Sequence, residues 1–153
     1  MLTIFVIFTC SAIWVKVCKL CLRGKYRKND NVLPKTPVRL AMIALMEVKR
    51  NISKESCECV SAMLSSILRT YLSQIFPYVH IEMTDPEIIE ALRKDANNDW
   101  QILSQISEIF SLTERVNFAK KKLSVAQQRG LYKKTGRVIL KIWQTKKGKY
   151  ANR

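Results

Sequence analysis

Histidine is almost missing from this 153-residue chain, which has one, His80, while glycine and proline number four each. So few glycines leave little material for a phosphate-cradling loop, and no P-loop, HExxH or GxSxG pattern occurs in the sequence. His80 is followed by Ile81 and Glu82, and no motif places a nucleophile or an orienting group beside it. It is expected to be a partly buried loop residue. The shortage of turn residues argues against an all-β fold, and a hydrophobic content of 48% argues against disorder. Neither an enzyme nor a cofactor, metal ion or small-molecule substrate is expected.

Acidic residues are also scarce. There are 12 against 27 Lys and Arg, a formal charge of +15, which predicts attraction to something anionic. The imbalance is uneven. Residues 1–50 carry ten cations and two acids, residues 51–112 four cations and nine acids, and residues 113–153 thirteen cations and one acid. A uniformly basic nucleic-acid binder has no use for an acidic centre.

Charge is missing altogether from residues 1–15, and the apolar character continues past Lys16 and Lys19 to Leu22. Twenty-two helical residues reach about 33 Å, close to the ~30 Å hydrocarbon core of a bilayer. Trp14 is placed for the interfacial belt. Six cations, Lys16, Lys19, Arg23, Lys25, Arg27 and Lys28, precede the first acid at Asp30. The positive-inside rule keeps that flank cytoplasmic and sends the N-terminus across. A cleaved signal peptide fits less well, because no basic residue precedes the apolar run and no small-x-small site follows it. A buried core helix is the third reading. The residues favour a single-span anchor over 1–22.

Five cysteines, an odd number, show no disulfide framework. Cys18 and Cys21 have the spacing of half a zinc site, but Cys57 and Cys59 offer neither a matching pair nor a nearby histidine. They are read as apolar residues at a membrane helix end, with reversible acylation or a metal or redox role as alternatives.

Residues 23–35 form a basic juxtamembrane linker, and a helical domain follows over 36–146, with a short basic tail at 147–153. Thr36 is the expected cap of a first helix, with Pro37 at its first position. That helix is expected to reach about Arg50 and to bury mostly Leu40, Ile43, Leu45, Met46 and Val48. Ser53 is expected to cap a second helix reaching about Ile75. Its stripe of Cys57, Val60, Leu64, Ile67, Leu68, Tyr71, Leu72 and Ile75 recurs at three- and four-residue steps and suits a core face or a coiled-coil partner. Phe76-Pro77 ends it, and residues 78–83 are expected to be a packed loop. Thr84 and Glu87 form a capping box ahead of Ile88, Ile89 and Leu92. Asp99 opens a helix with Trp100, Leu103, Ile106, Ile109 and Phe110 on its apolar side. Ser124 and Gln127 open the last helix, to about Lys146, with the stripe Leu131, Val138, Ile139, Ile142 and Trp143. The expected class is all-α: one transmembrane helix, then a compact bundle of about five helices.

Four segments fall in a recognisable order: LSSILRTYLSQIFP (64–77), MTDPEIIEAL (83–92), ILSQISEIF (102–110) and ERVNFAKKKLSVAQ (114–127). This order resembles a small bacterial membrane-anchored family encoded beside MoxR-type AAA+ ATPases and von Willebrand factor A proteins. It is also similar to the cytoplasmic helical tail of BatD-like aerotolerance proteins. The most specific piece is Val116, Phe118 and Ala119 around Asn117, where that family more often has a basic residue. The resemblance implies a packing and capping role for these residues and no catalytic one. It also implies a single-pass inner-membrane protein whose cytoplasmic domain serves an AAA+ ATPase or von Willebrand A partner. The basic stretch after Lys120 and the juxtamembrane cysteines depart from the family pattern.

Two clusters remain. Glu82, Asp85, Glu87 and Glu90 suggest a metal site, but they crowd a helix start whose dipole already accounts for acids. The C-terminal cations, Lys133, Lys134, Arg137 and Lys141 foremost, suit a solvated helix face, membrane headgroups or an acidic protein. Nucleic acid, the competing class of partner, would call for more interleaved aromatics than Tyr132, Trp143 and Tyr150 provide.

Overall fold

The computed structural model describes residues 36–95 and 99–150, with the backbone alone at 148–150. The anchor expected over 1–22, its flank of Lys16, Lys19, Arg23, Lys25, Arg27 and Lys28, and the linker to 35 lie outside the described residues. Among the described residues no helix is long and apolar enough to cross a membrane.

Every described element is a helix or a connection between helices, and the five helices belong to one unit, Lys35–Arg153. Helix α1 is Pro37–Asn51, α2 is Cys57–Ile75, α3 is Asp85–Lys94, α4 is Trp100–Asn117 and α5 is Val125–Tyr150. Helices α1, α2, α4 and α5 pack in a ring in which each touches the next, with α2 and α5 also meeting across it. Helix α3 lies outside this ring, against α4.

Local chemistry starts each helix. Pro37 supplies a preset φ and lacks an N–H that would go unbonded. Glu87 accepts from the Thr84 backbone N–H at 2.7 Å and from its hydroxyl at 2.8 Å, closing the first turn of α3. An Asp99 carboxylate oxygen accepts from Gln101 N–H at 2.8 Å at the start of α4. At α5 the box is reciprocal: Ser124 N–H donates to Gln127 Oε1 at 2.9 Å and Gln127 N–H to Ser124 Oγ at 3.2 Å.

The cap of α2 is Ser56, not Ser53. Ser56 Oγ accepts from Cys59 N–H at 3.2 Å. Ser53 instead lies in a turn where the N–H groups of Lys54 and Glu55 both bond to Asn51 O, while buried Ile52 pins the turn to the core. The last helix also runs further than expected, to Tyr150.

Helix α2 is the central strut. Val60, Leu64, Leu68 and Leu72 are fully buried, and each such aliphatic side chain stabilises the fold by roughly 1.5–3 kcal/mol. From α5, Val138, Ile139 and Ile142 complete the core. Other expected core positions do not enter it. Ile43 and Met46 are exposed on the far side of α1 from Leu45, and Trp100 is 76% exposed. At ~100° per residue, Trp100 lies about 160° around α4 from Ile102, outside the arc of Ile102, Ile106, Ile109 and Val116 that packs inward.

The aromatic-proline break after α2 is tied down at three points. Tyr78 donates to Asp95 Oδ2 at 2.8 Å, its ring packs 5.6 Å from that of Phe76, and Lys146 Nζ sits 4.5 Å over the Phe76 ring. The expected packed loop at 78–83 is packed only in part: Val79 is buried and Tyr78 and Met83 partly so, while Ile81 and Glu82 are exposed. His80 departs from expectation, being exposed; its neighbours Tyr78 and Val79 carry the packing.

Candidate functional site

The cations of the C-terminal helix divide into two sets, and the division follows from which way α5 turns each side chain. Lys134 pairs with Glu108. Lys141 reaches Asp99 at 3.2 Å and donates to Gln101 Oε1 at 2.8 Å. Lys146 lies 3.7 Å from Asp95. These three lysines brace α5 against α4 and the C-terminal end of α3. Arg129, Lys133, Arg137 and Lys147 are exposed and form no ion pair among the described residues. Of the four residues singled out in the sequence, Lys133 and Arg137 therefore lie on the open face and Lys134 and Lys141 on the internal seam.

The motif around Asn117 is split in the same way. Val116 is fully buried, whereas Phe118 is 82% exposed and Ala119 is exposed as well. Phe118 serves the end of α4 through its backbone, its N–H donating to Glu114 O at 2.8 Å. Ala119 N–H bonds Arg115 O at 3.1 Å, and Lys120 then takes a left-handed φ of 52° that turns the chain toward α5. Beyond the turn, Leu123 is buried and its carbonyl accepts from the buried Gln128 side chain at 3.1 Å. The packing role thus falls to Val116 and Leu123, and the Phe118 ring is left in solvent.

The acids before and within α3 serve separate structural ends. Arg69 Nη2 lies 2.6 Å from Asp85 Oδ1, its Nη1 donates to Met83 O at 2.8 Å, and its guanidinium is 5.8 Å from the Phe110 ring centre. Burial pushes the Asp85 carboxyl above its ordinary range, with Arg69 opposing and Glu114 reinforcing that shift. Glu87 belongs to the capping box, which holds its carboxyl low through the Thr84 backbone N–H and then the Thr84 hydroxyl. Glu90 faces Arg93 at 3.5 Å. Among the described residues no three His, Cys, Asp or Glu side chains converge as metal ligands. Cys57 and Cys59 lie partly buried at the start of α2.

Several grooves border α3. A groove of about 660 Å³ lies between the 78–83 loop and α3, lined by Tyr78, Met83, Glu87 and Ala91 among others. On the other side of α3 two grooves of about 470 and 630 Å³ share Ile89, Arg93, Ser107 and Ser111, and Trp100 stands at one end. They are open clefts between helices, and Asp85, Glu90, Glu114, Ser107 and Ser111 are among the residues lining the one of about 470 Å³.

No protein-family model matches this chain, and no curated protein or solved structure matches it.

Proposed function

We propose that the protein is a non-enzymatic, single-span membrane protein whose helical domain faces the cytoplasm and works by binding other proteins. The observation that carries this reading is the order of charge along the chain. Fifteen uncharged residues open it, six cations follow before the first acid, and a separate helical unit begins after the linker. That order matches an anchor, its cytoplasmic flank and a tethered module. The open clefts around α3 and the exposed Trp100, Phe118, Ile43 and Met46 offer contact surface for a partner. The order of helix, proline break, capped short helix and terminal helix supports service to a MoxR-type AAA+ ATPase or von Willebrand A partner in a bacterial inner membrane.

The test is purification of the full chain from detergent-solubilised membranes. Resistance to alkaline carbonate extraction and co-elution of an AAA+ ATPase or von Willebrand A protein are the expected results. Release by carbonate would remove the anchor, and tight, salt-tolerant retention of DNA would replace the protein partner with nucleic acid, since non-specific contacts to phosphate collapse as salt rises.

A further inference from the structure

After Glu114 the chain contains no acid, and the cations that follow are not arranged at random. Phe118, the most exposed large apolar side chain described, is followed by Lys120, Lys121 and Lys122, all exposed, and then by the partly uncovered Val125. Lys120 holds its left-handed φ of 52° without being glycine or asparagine. Lys122 lies in the field of Glu58 at the start of α2. An aromatic ring at the tip of a turn, flanked by long basic stems, suits a water–lipid boundary. There the ring enters the acyl region and the ammonium groups stay with the phosphates.

Helix α5 carries a second set of exposed cations. Gly136 faces Leu45 of α1, its ideal β-carbon position lying 3.6 Å from Leu45 Cδ1. At about 100° per residue, Arg129, Lys133, Leu140 and Lys147 project within about 60° of the Gly136 direction, and Arg137 within about 100°. Those residues lie to one side of Gly136, whereas buried Gln128, Leu131, Thr135, Ile139 and Ile142 lie about 60–140° to its other side, and Lys134 and Lys141 turn to α4. The stripe is therefore a row of four exposed cations, without an ion pair among the described residues, with Leu140 among them, on the helix that packs beside α1. Only thirteen residues, 23–35, separate the apolar N-terminal run from the domain, a reach of at most about 45 Å. On the anchored reading, on which this inference rests, the linker keeps the domain within reach of a charged leaflet.

We propose that the 118–122 turn and the stripe Arg129, Lys133, Arg137 and Lys147 form a docking face for anionic phospholipid headgroups, with Phe118 entering the boundary. The test is amine acetylation followed by mass spectrometry on the full chain in nanodiscs of phosphatidylcholine alone or with one-third phosphatidylglycerol. In the anionic discs Lys133, Lys147 and the turn lysines should react about fivefold more slowly, and Lys134 and Lys141 should not change. Phe118→Ala, or Lys133→Glu with Arg137→Glu, should abolish the protection without moving the melting temperature. Equal labelling in both lipids overturns the proposal, as does protection by soluble polyglutamate but not by anionic discs, which assigns the face to an acidic protein. Carbonate extraction reports the anchor separately. A chain that is released yet still protected when mixed with anionic vesicles retains the docking face and loses the anchor. A chain that resists extraction but is never protected retains the anchor and loses the docking face.

Discussion

The Tyr71 hydroxyl donates to the carbonyl oxygen of Ile139 at 3.1 Å, joining α2 to α5 across 68 residues of sequence. Tyr71 is 1% exposed, and that burial raises its hydroxyl pKa well above the ordinary value. Tyr71→Phe keeps the ring and loses one neutral hydrogen bond, and the Ile139 carbonyl lies within α5, where the helix ladder also reaches it. The expected cost is about 1 kcal/mol in urea unfolding, with an unchanged m-value.

Arg69 is a second tie, holding Asp85, Met83 O and the face of Phe110 together. Its removal strands a half-buried carboxylate. Because the Arg69 and Asp85 side chains keep 29% and 17% of their exposure, Arg69→Met should cost about 2–3 kcal/mol rather than the full penalty of a buried pair. The loss should shrink in acid, where Asp85 is protonated, and Arg69→Met with Asp85→Asn should recover part of it at neutral pH. Thermal melts at two pH values check both statements.

Acid should weaken the fold through its helix caps. Glu87 is held low by the Thr84 backbone N–H and Asp99 by the Gln101 backbone N–H, so the unfolded chain binds more protons at these sites than the folded one. Their stabilisation is present above the ordinary carboxylate range and is lost as pH falls through the depressed values. Asp85 acts in the opposite sense, since its raised pKa makes protonation favour the folded state. Glu87→Gln with Asp99→Asn should flatten the decline in stability between about pH 5 and pH 3.

The two sets of cations on α5 should separate in a stability assay. Lys141→Ala loses contacts to Asp99 and Gln101 and should cost about 0.5–1 kcal/mol, less at high salt. Lys133→Ala, on the open face, should stay within about 0.5 kcal/mol of the parent chain.

Gly130 lies within α5, and a β-carbon added there meets nothing within 4 Å. Gly130→Ala should therefore stabilise the domain by about 0.5–1 kcal/mol, by restricting the unfolded chain and favouring helix. At Gly136 the contact with Leu45 is of ordinary van der Waals length, so alanine should be accepted there and leucine should destabilise.

The helices were legible because their start signals are local. Pro37, the Thr84–Glu87 box, Asp99 and the Ser124–Gln127 box each act within four residues, and a reader of the sequence sees the whole interaction. Ser53 and Ser56 differ in nothing a residue type reveals; Ile52 packing and two bonds to Asn51 O decide between them. On α1, Leu45, Ile43 and Met46 cannot share one inward arc, and the positions of α2 and α5 select Leu45. The candidate surface was legible in charge but not in direction. Lys133 and Lys134 are adjacent in sequence, and it takes Glu108 on α4 to show that one belongs to the fold and the other to the solvent.

Because α5 closes the ring against α1, α2 and α4, the earlier helices have no finished core of their own. During synthesis, Leu45, Leu64 and Ile109 stay without their final neighbours until α5 has been made. Chaperone binding or premature association with a neighbouring chain should concentrate in that interval. Truncation before Val125 should give an aggregation-prone remnant rather than a smaller folded domain.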